Sequence, residues 1–170
     1  YLIGREKEAE ICDRIEQAKG YPFVTAARAV TDSFKALNAE KIGLVSPYPT
    51  SLTEVSVGYW KSAGLDVAEV VGAFNDESEF HPIYSRRAES SVEALRALED
   101  KEVDAIVMLG TGMPTLQPIL DVANWKGAPV TSCMLSLAWR TLMYIDAVEP
   151  SAENMLAWSK GEDWRERMKV

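Results

Sequence analysis

The residues of this chain that could do chemistry fall in a few short segments. Gly110-Thr111-Gly112-Met113-Pro114 joins an apolar run to a helical stripe. Unpaired backbone N–H groups and a helix dipole at such a junction favour an anion such as a carboxylate or phosphate. The alternative is a tight turn that needs its two glycines and binds nothing. Ser46-Pro47-Tyr48-Pro49 holds a tyrosine between two prolines, which restrict the backbone and would aim a phenol donor at a carboxylate. Otherwise Tyr48 packs over the sheet with its hydroxyl in water. Cys133 lies just past an apolar run, where a thiol could face substrate, whereas Cys12 sits beside a helical stripe as inert packing. His81, before Pro82 in a polar stretch, reads as solvated. Arg86 and Arg87 are either exposed or clamps on a carboxylate. With two cysteines, no Cys-x-x-Cys and one histidine, the chain lacks the ligands of a zinc site and of a disulfide framework. GxxxxGK[ST] and GxGxxG are both absent, so nothing supports a nucleotide, and neither metal nor cofactor is expected.

These segments need elements that hold them together. Runs rich in Val, Ile and Leu alternate with helical stripes, the pattern of βα repeats around a parallel sheet. Arg5 to Lys19 reads as a helix, with Ile11 and Ile15 one turn apart, Ala9, Cys12 and Ala18 nearby, and Gly20 and Pro22 as stop signals. Pro22 to Thr25 reads as a short extended run, and Ala26 to Leu37 as a helix with Val30, Phe34 and Leu37 on its apolar side. Lys41 to Ser46 is too short for a helix and is closed by Pro47 and Pro49, so it reads as a buried strand. Ser51 and Glu54 have capping-box spacing. They predict a helix from about Leu52, with Leu52, Val55, Tyr59 and Ala63 inward and Gly64 as its stop. Leu65 to Val71 supplies the next strand. After a long polar loop from Asn75 to Tyr84, Ala88 to Glu99 carries Val92, Leu95 and Leu98 at helical spacing, and Val103 to Leu109 is a strongly apolar strand. A helix over Thr115 to Asn124, a strand over Ala128 to Thr131 and a helix over Met134 to Ile145 follow. Pro150 and Ser151 precede a terminal helix whose Met155, Leu156, Trp158 and Trp164 read as core anchors.

In an open parallel sheet the pocket forms beyond the carboxyl ends of the strands. That rule gathers Thr25 and Ala26, Ser46 to Ser51, Phe74 to Tyr84, Gly110 to Pro114, and Thr131 to Leu135 at one edge. Composition excludes some partners. With 47% hydrophobic and 26% charged residues among 170, the chain can bury a core in one unit or two small lobes. A net charge of -8 with acidic residues spread along the chain argues against DNA or RNA. Its apolar runs stop short of the roughly 18 to 20 residues a membrane span needs, and no leader-like segment opens it. The reading is a cytoplasmic protein with no membrane partner.

Three segments, in order and spacing, resemble the aspartate/glutamate racemase superfamily, in its arylmalonate decarboxylase and maleate cis-trans isomerase branch. The first is Thr25-Ala26-Ala27-Arg28-Ala29-Val30, running through Ala36-Leu37 to Lys41-Ile42-Gly43-Leu44-Val45-Ser46-Pro47-Tyr48. The second runs from Val103 to Leu116 through Gly110-Thr111-Gly112, and the third from Ala128-Pro129-Val130-Thr131-Ser132 to Leu137-Ala138-Trp139. The resemblance spans about residues 10 to 145. It implies two pseudosymmetric α/β lobes with parallel sheets flanked by helices, and a cofactor-free site between them. It also implies a cysteine from each lobe as acid, base or nucleophile, and small carboxylates as substrates. On this resemblance residues 1–25 are the remainder of an N-terminal lobe, 26–145 a second lobe with shared helices, and 146–170 a helix packing back. Tyr48 matches the tyrosine that holds the substrate carboxylate, the N–H groups around Thr111 match the anion loop, and Pro47, Gly110, Gly112 and Ser132 complete the substrate-binding set.

The departures are specific. Gly110 stands where the second-lobe cysteine would be, Met134 where a polar residue is common, and the other cysteine would lie upstream of Tyr1. The first lobe would then lack its N-terminal strand and loop. A two-base racemase needs two groups, so the favoured expectation is a one-sided lyase or isomerase on a small carboxylic acid, through an enediolate-type intermediate. The competing expectation is an inactive relative that binds a carboxylate as a sensor or accessory protein. A third lets Cys133 replace the lost thiol. A homodimer or higher homo-oligomer stays open as a partner state.

Overall fold

Lys41–Ser46 (β1) and Ala105–Met108 (β3) are the two central strands, and both are buried on each face, which is why they read as near-continuous apolar runs. The computed structural model describes residues 1–73, 88–162 and 164–165. Asp66–Gly72 (β2) pairs parallel with β1, and Val130–Ser132 (β4) pairs parallel with β3, giving one sheet in the order β2-β1-β3-β4. The chain steps outward from β1 to β2, then crosses back to β3 on the other side. The order therefore reverses between β1 and β3, and in open α/β sheets ligands bind beyond the carboxyl ends of the strands at such a point.

Alternate strand residues serve opposite faces. Ile42, Leu44, Ala105, Val107 and Leu109 pack with Val30 and Phe34 of α2 (Ala26–Ala36) and with Tyr59 and Trp60 of α3 (Thr50–Ser62). Val45, Ile106, Met108 and Val130 pack on the other face. Their partners there include Leu95 of α4 (Ala88–Arg96), Ile119 of α5 (Leu116–Asp121) and Trp139 of α6 (Cys133–Ile145). Each fully buried Ile, Leu or Phe contributes roughly 1.5–3 kcal/mol, so this two-sided burial sets the register. Gly43 sits in β1 because a Cβ there would meet Ile106 Cγ1 at 3.3 Å and Leu98 Cδ1 at 3.4 Å. The final helix, α7 (Ala152–Lys160), lays Met155 and Trp158 on the same core. The indole N–H groups of Trp158 and Trp164 reach the Leu135 and Trp158 carbonyls at 3.0 and 2.8 Å. No helix among the described residues is long and apolar enough to cross a membrane.

Several boundaries differ from the sequence reading. The expected capping box at Ser51 and Glu54 does not form. Pro49 caps α3 through its carbonyl, which accepts from Leu52 and Thr53 N–H at 3.1 and 2.9 Å, so the helix starts at Thr50 and both box residues are exposed. The inner face of α3 is Ser56, Tyr59 and Trp60, which share one side at helical spacing, while Leu52 and Ala63 are half-buried and Val55 is exposed. A full box with Ser151 and Asn154 instead opens α7. Pro22 to Thr25 forms no ladder, and Thr25 is the N-cap of α2, accepting from Arg28 N–H at 3.1 Å.

Against this layer lies α1 (Arg5–Lys19), whose buried residues are Glu8 and Cys12 rather than the half-buried Ile11 and Ile15. The Glu8 carboxylate accepts from Thr25 Oγ1 and Tyr59 Oη, tying α1 to both neighbouring helices. Phe74 to Tyr84, His81, Pro82, Arg86 and Arg87 lie outside the described residues.

Candidate active site

The end of β1 is a built turn. Ser46 Oγ shares a 2.7 Å hydrogen bond with Thr53 Oγ1 and accepts from Tyr48 N–H at 3.3 Å, while Thr53 Oγ1 donates to the Tyr48 carbonyl at 3.2 Å. These bonds hold Pro47 buried and leave the Tyr48 ring half-buried beside the end of β3. The phenol is pushed up to about 12, first by burial and next by Cys133, against the pull of the Gly110 N–H. Tyr48 is therefore a neutral donor throughout the physiological range.

Gly110 follows β3 with φ +84°, in the left-handed region that glycine tolerates and side chains resist. A Cβ at this position would stand 2.9 Å from Pro47 Cγ and 3.6 Å from Tyr48 Oη. The Pro47 ring thus fills the space into which a side chain would project. Gly110 therefore sits beside the Tyr48 hydroxyl, and its N–H pulls both the Tyr48 phenol and the Cys133 thiol down against the effect of burial.

Cys133 opens α6. Ser132 is the N-cap, accepting from Leu135 N–H at 3.2 Å and from Thr115 Oγ1 at 3.0 Å. Those bonds give the 1% exposed Ser132 a positioning job for the residue that follows it. Cys133 is itself 4% exposed, and its sulfur lies 3.8 Å from Tyr1 Oη. Burial pushes the thiol up from its ordinary value, with the Tyr1 hydrogen bond and the Gly110 N–H pulling the other way. Tyr1 closes this side of the cluster. Its ring packs edge-on against Tyr48, Tyr59 and Trp60 at centroid distances of 6.2, 5.3 and 5.6 Å. Burial is also the main cause that raises the Tyr1 phenol, followed by Cys133. Beyond Tyr1 a cavity of about 720 Å³ opens between α1 and α3, bordered by Arg5, Gly58, Tyr59 and Ser62.

The structure thus brings Pro47, Tyr48, Gly110 and Cys133 together and adds Tyr1, which no sequence signal marked. Thr111 is exposed and Gly112 half-buried in the loop beyond, anchored by buried Met113. The expected helix dipole at this loop needs correction. The following helix, α5, has six residues, begins at Leu116 and carries no side-chain cap, because Pro114 and Pro118 leave little backbone to align. The longer dipole at this edge belongs to α6, whose first residue is Cys133. Thr25 is engaged with Glu8 and Arg28. Cys12 is fully buried in α1, in keeping with packing.

A tyrosine, a glycine and a thiol gathered at the strand ends where a parallel sheet reverses its order are the arrangement of an α/β protein of the aspartate/glutamate racemase type. The chain belongs to the arylmalonate decarboxylase family, whose model matches residues 1–156. It is 27% identical over 157 residues to a maleate isomerase of Geobacillus stearothermophilus, covering 89% of this chain and 61% of that protein. Its fold matches a crystal structure of arylmalonate decarboxylase with a TM-score of 0.73 at 21% identity, over 83% of this chain and 62% of that one. It also matches a cysteine-to-alanine variant of the maleate isomerase Iso from Pseudomonas putida S16, solved with maleate. There the TM-score is 0.68 at 25% identity, over 82% of this chain and 55% of that one. The chain thus spans 55 to 62% of the length of these relatives.

Proposed function

We propose that the protein is a cofactor-independent lyase or isomerase acting on a small carboxylic acid, by decarboxylation or isomerisation through an enediolate-type intermediate. The observation that carries this reading is the convergence of the Tyr48 phenol and the Gly110 N–H beside Cys133. Two fixed donors would hold one carboxylate and stabilise the charge that develops beside it, and a thiol within reach would handle the proton. Thr111 and Gly112 complete the carboxylate rim from the same loop, and Pro47 and Ser132 hold the two walls. Family membership supports the same chemistry. The maleate isomerase and arylmalonate decarboxylase names of the relatives favour turnover over a binding-only sensor.

The test is a turnover assay of the full-length protein on methylmalonate, phenylmalonate and maleate, following CO2 release and fumarate formation. A calorimetric titration with malonate accompanies it. Turnover of any of the three is the expected result. Malonate binding without turnover of any substrate would replace the enzyme reading with a carboxylate-binding protein.

A further inference from the structure

Resting on the proposed function, we infer that Tyr1 is a specificity-determining residue of this site. Its ring is the end wall that limits how far a substituent on the bound carboxylic acid extends, and it separates the site from the cavity between α1 and α3.

Position is the first argument, because Tyr1 touches both sides of that boundary. On the site side its hydroxyl lies 3.8 Å from Cys133 Sγ, and its ring stands edge-on to the Tyr48 ring at 6.2 Å. On the other side it borders the cavity of about 720 Å³, together with Gly58, Tyr59 and Ser62. A carboxylate held at the Tyr48 hydroxyl finds the space over Gly110 already filled, since a Cβ there would stand 2.9 Å from the buried Pro47 ring. In the direction of Cys133 a substituent runs up to the Tyr1 ring, and the open volume begins behind it.

Rigidity is the second argument, because a wall selects by size only where it cannot retreat. Tyr1 is backed by Tyr59 and Trp60, two buried rings that meet it edge-on at 5.3 and 5.6 Å. Tyr59 is fixed in turn by donating to the Glu8 carboxylate, which also accepts from Thr25. Trp60 packs on Phe34 with ring centroids 6.4 Å apart. A close-packed interior passes a displacement on rather than absorbing it, so pushing Tyr1 back means moving α1, α2 and α3 together. A short substituent stops before the ring, and a longer one collides with it. Removing the ring joins the site to the cavity, where each methylene that becomes buried raises affinity about fourfold.

The experiment titrates the full-length protein calorimetrically with methylmalonate and butylmalonate, as wild type, Tyr1→Phe and Tyr1→Ala. The readout is the ratio of the two affinities, which a general loss of stability does not move. Wild type and Tyr1→Phe are expected to favour the methyl acid at least about 10-fold, since phenylalanine keeps the wall and loses only the hydroxyl. Tyr1→Ala is expected to lower that preference at least about 10-fold. Gly58 borders the cavity and a Cβ there meets nothing within 4 Å, so adding Gly58→Leu to Tyr1→Ala refills the space and should restore the preference. A Tyr1→Ala ratio equal to that of the wild type overturns the inference, and so does loss of the preference in Tyr1→Phe. A measurement that needs no variant is wild-type affinity along methyl-, ethyl-, propyl- and butylmalonate. A break after the short members supports the wall, whereas a steady rise of about fourfold per methylene overturns it. A shifted ratio without turnover of either acid supports the wall while the enzyme reading falls. Turnover with an unshifted ratio does the reverse, and absence of binding to either acid in every variant overturns both.

Discussion

Adding one methyl group at Gly110 and one at Gly58 should move stability in opposite directions. At Gly110 the backbone has φ +84°, and placing an L side chain there costs about 1–2 kcal/mol. The new Cβ would also stand 2.9 Å from Pro47 Cγ. That ring is buried and bracketed by the hydrogen-bonded Ser46 and Tyr48, so it yields only by moving the turn, an overpacking cost of about 1–3 kcal/mol. Gly110→Ala is thus expected to lose about 2–5 kcal/mol, a fall in Tm of roughly 4–20 °C for a chain of this size. Gly58 is exposed in α3, and a Cβ there meets nothing within 4 Å. Gly58→Ala gains about 1 kcal/mol of helix propensity, a rise of roughly 2–4 °C. Differential scanning calorimetry of the two variants beside the wild type is the assay, with urea titration to separate a change in midpoint from a change in slope. A Gly110→Ala protein melting within about 1 °C of the wild type would refute the claim that this position excludes a side chain.

Other outcomes follow from the same geometry. Tyr48→Phe removes a donor to a charged carboxylate, worth about 1.5–3 kcal/mol. Malonate affinity should therefore fall roughly 10- to 150-fold with little change in Tm, and an unchanged dissociation constant would remove Tyr48 from the site. Because the Tyr48 phenol is pushed up to about 12, it stays a donor, and its contribution to binding should be flat from about pH 6 to 10 in a calorimetric titration. Glu8→Ala leaves the Tyr59 and Thr25 hydroxyls without their acceptor and is expected to cost about 1–3 kcal/mol, with Glu8→Gln recovering much of it in urea melts. Asp104 accepts from the Glu40 and Lys41 N–H groups at 2.9 and 2.8 Å, and these bonds hold its carboxyl below the usual range. Its folded pKa being the lower one, the stabilisation is present above the ordinary carboxylate pKa and is lost as pH falls through the folded value. Asp104→Ala should cost about 0.5–1 kcal/mol at pH 7 after allowing for its exposure, and melts should converge with the wild type in strong acid.

Much of the architecture was legible in the residues themselves. β1 and β3 read as strands because both faces are buried, which demands an unbroken apolar run too short for a helix. α2 read as a helix because Val30, Phe34 and Leu37 return on one side, and Val30 and Phe34 are indeed fully buried. Tyr48 and the Gly110 loop drew notice because proline and glycine limit the backbone locally, and local limits are written in sequence. The rule that loops at the carboxyl ends of parallel strands meet then brought them to one edge without any coordinates.

Tertiary structure decided what depends on distances between residues far apart in the chain. That Gly110 excludes a side chain follows from the Pro47 ring, 63 positions earlier, and from a positive φ that no neighbouring residue type announces. The start of α3 at Thr50 came from the geometry after Pro49, which overrode a capping box that was complete in sequence. Nothing local to Glu8 marks it in sequence, yet the approach of α2 and α3 buries it between two hydroxyls. Cys133 and Tyr1 lie 132 positions apart and meet because β4 and the first turn of the chain converge on one wall. Periodicity and turn chemistry are short-range properties that a sequence carries directly. The environment of a thiol is a sum over contacts from every element around it, and only packing supplies that sum.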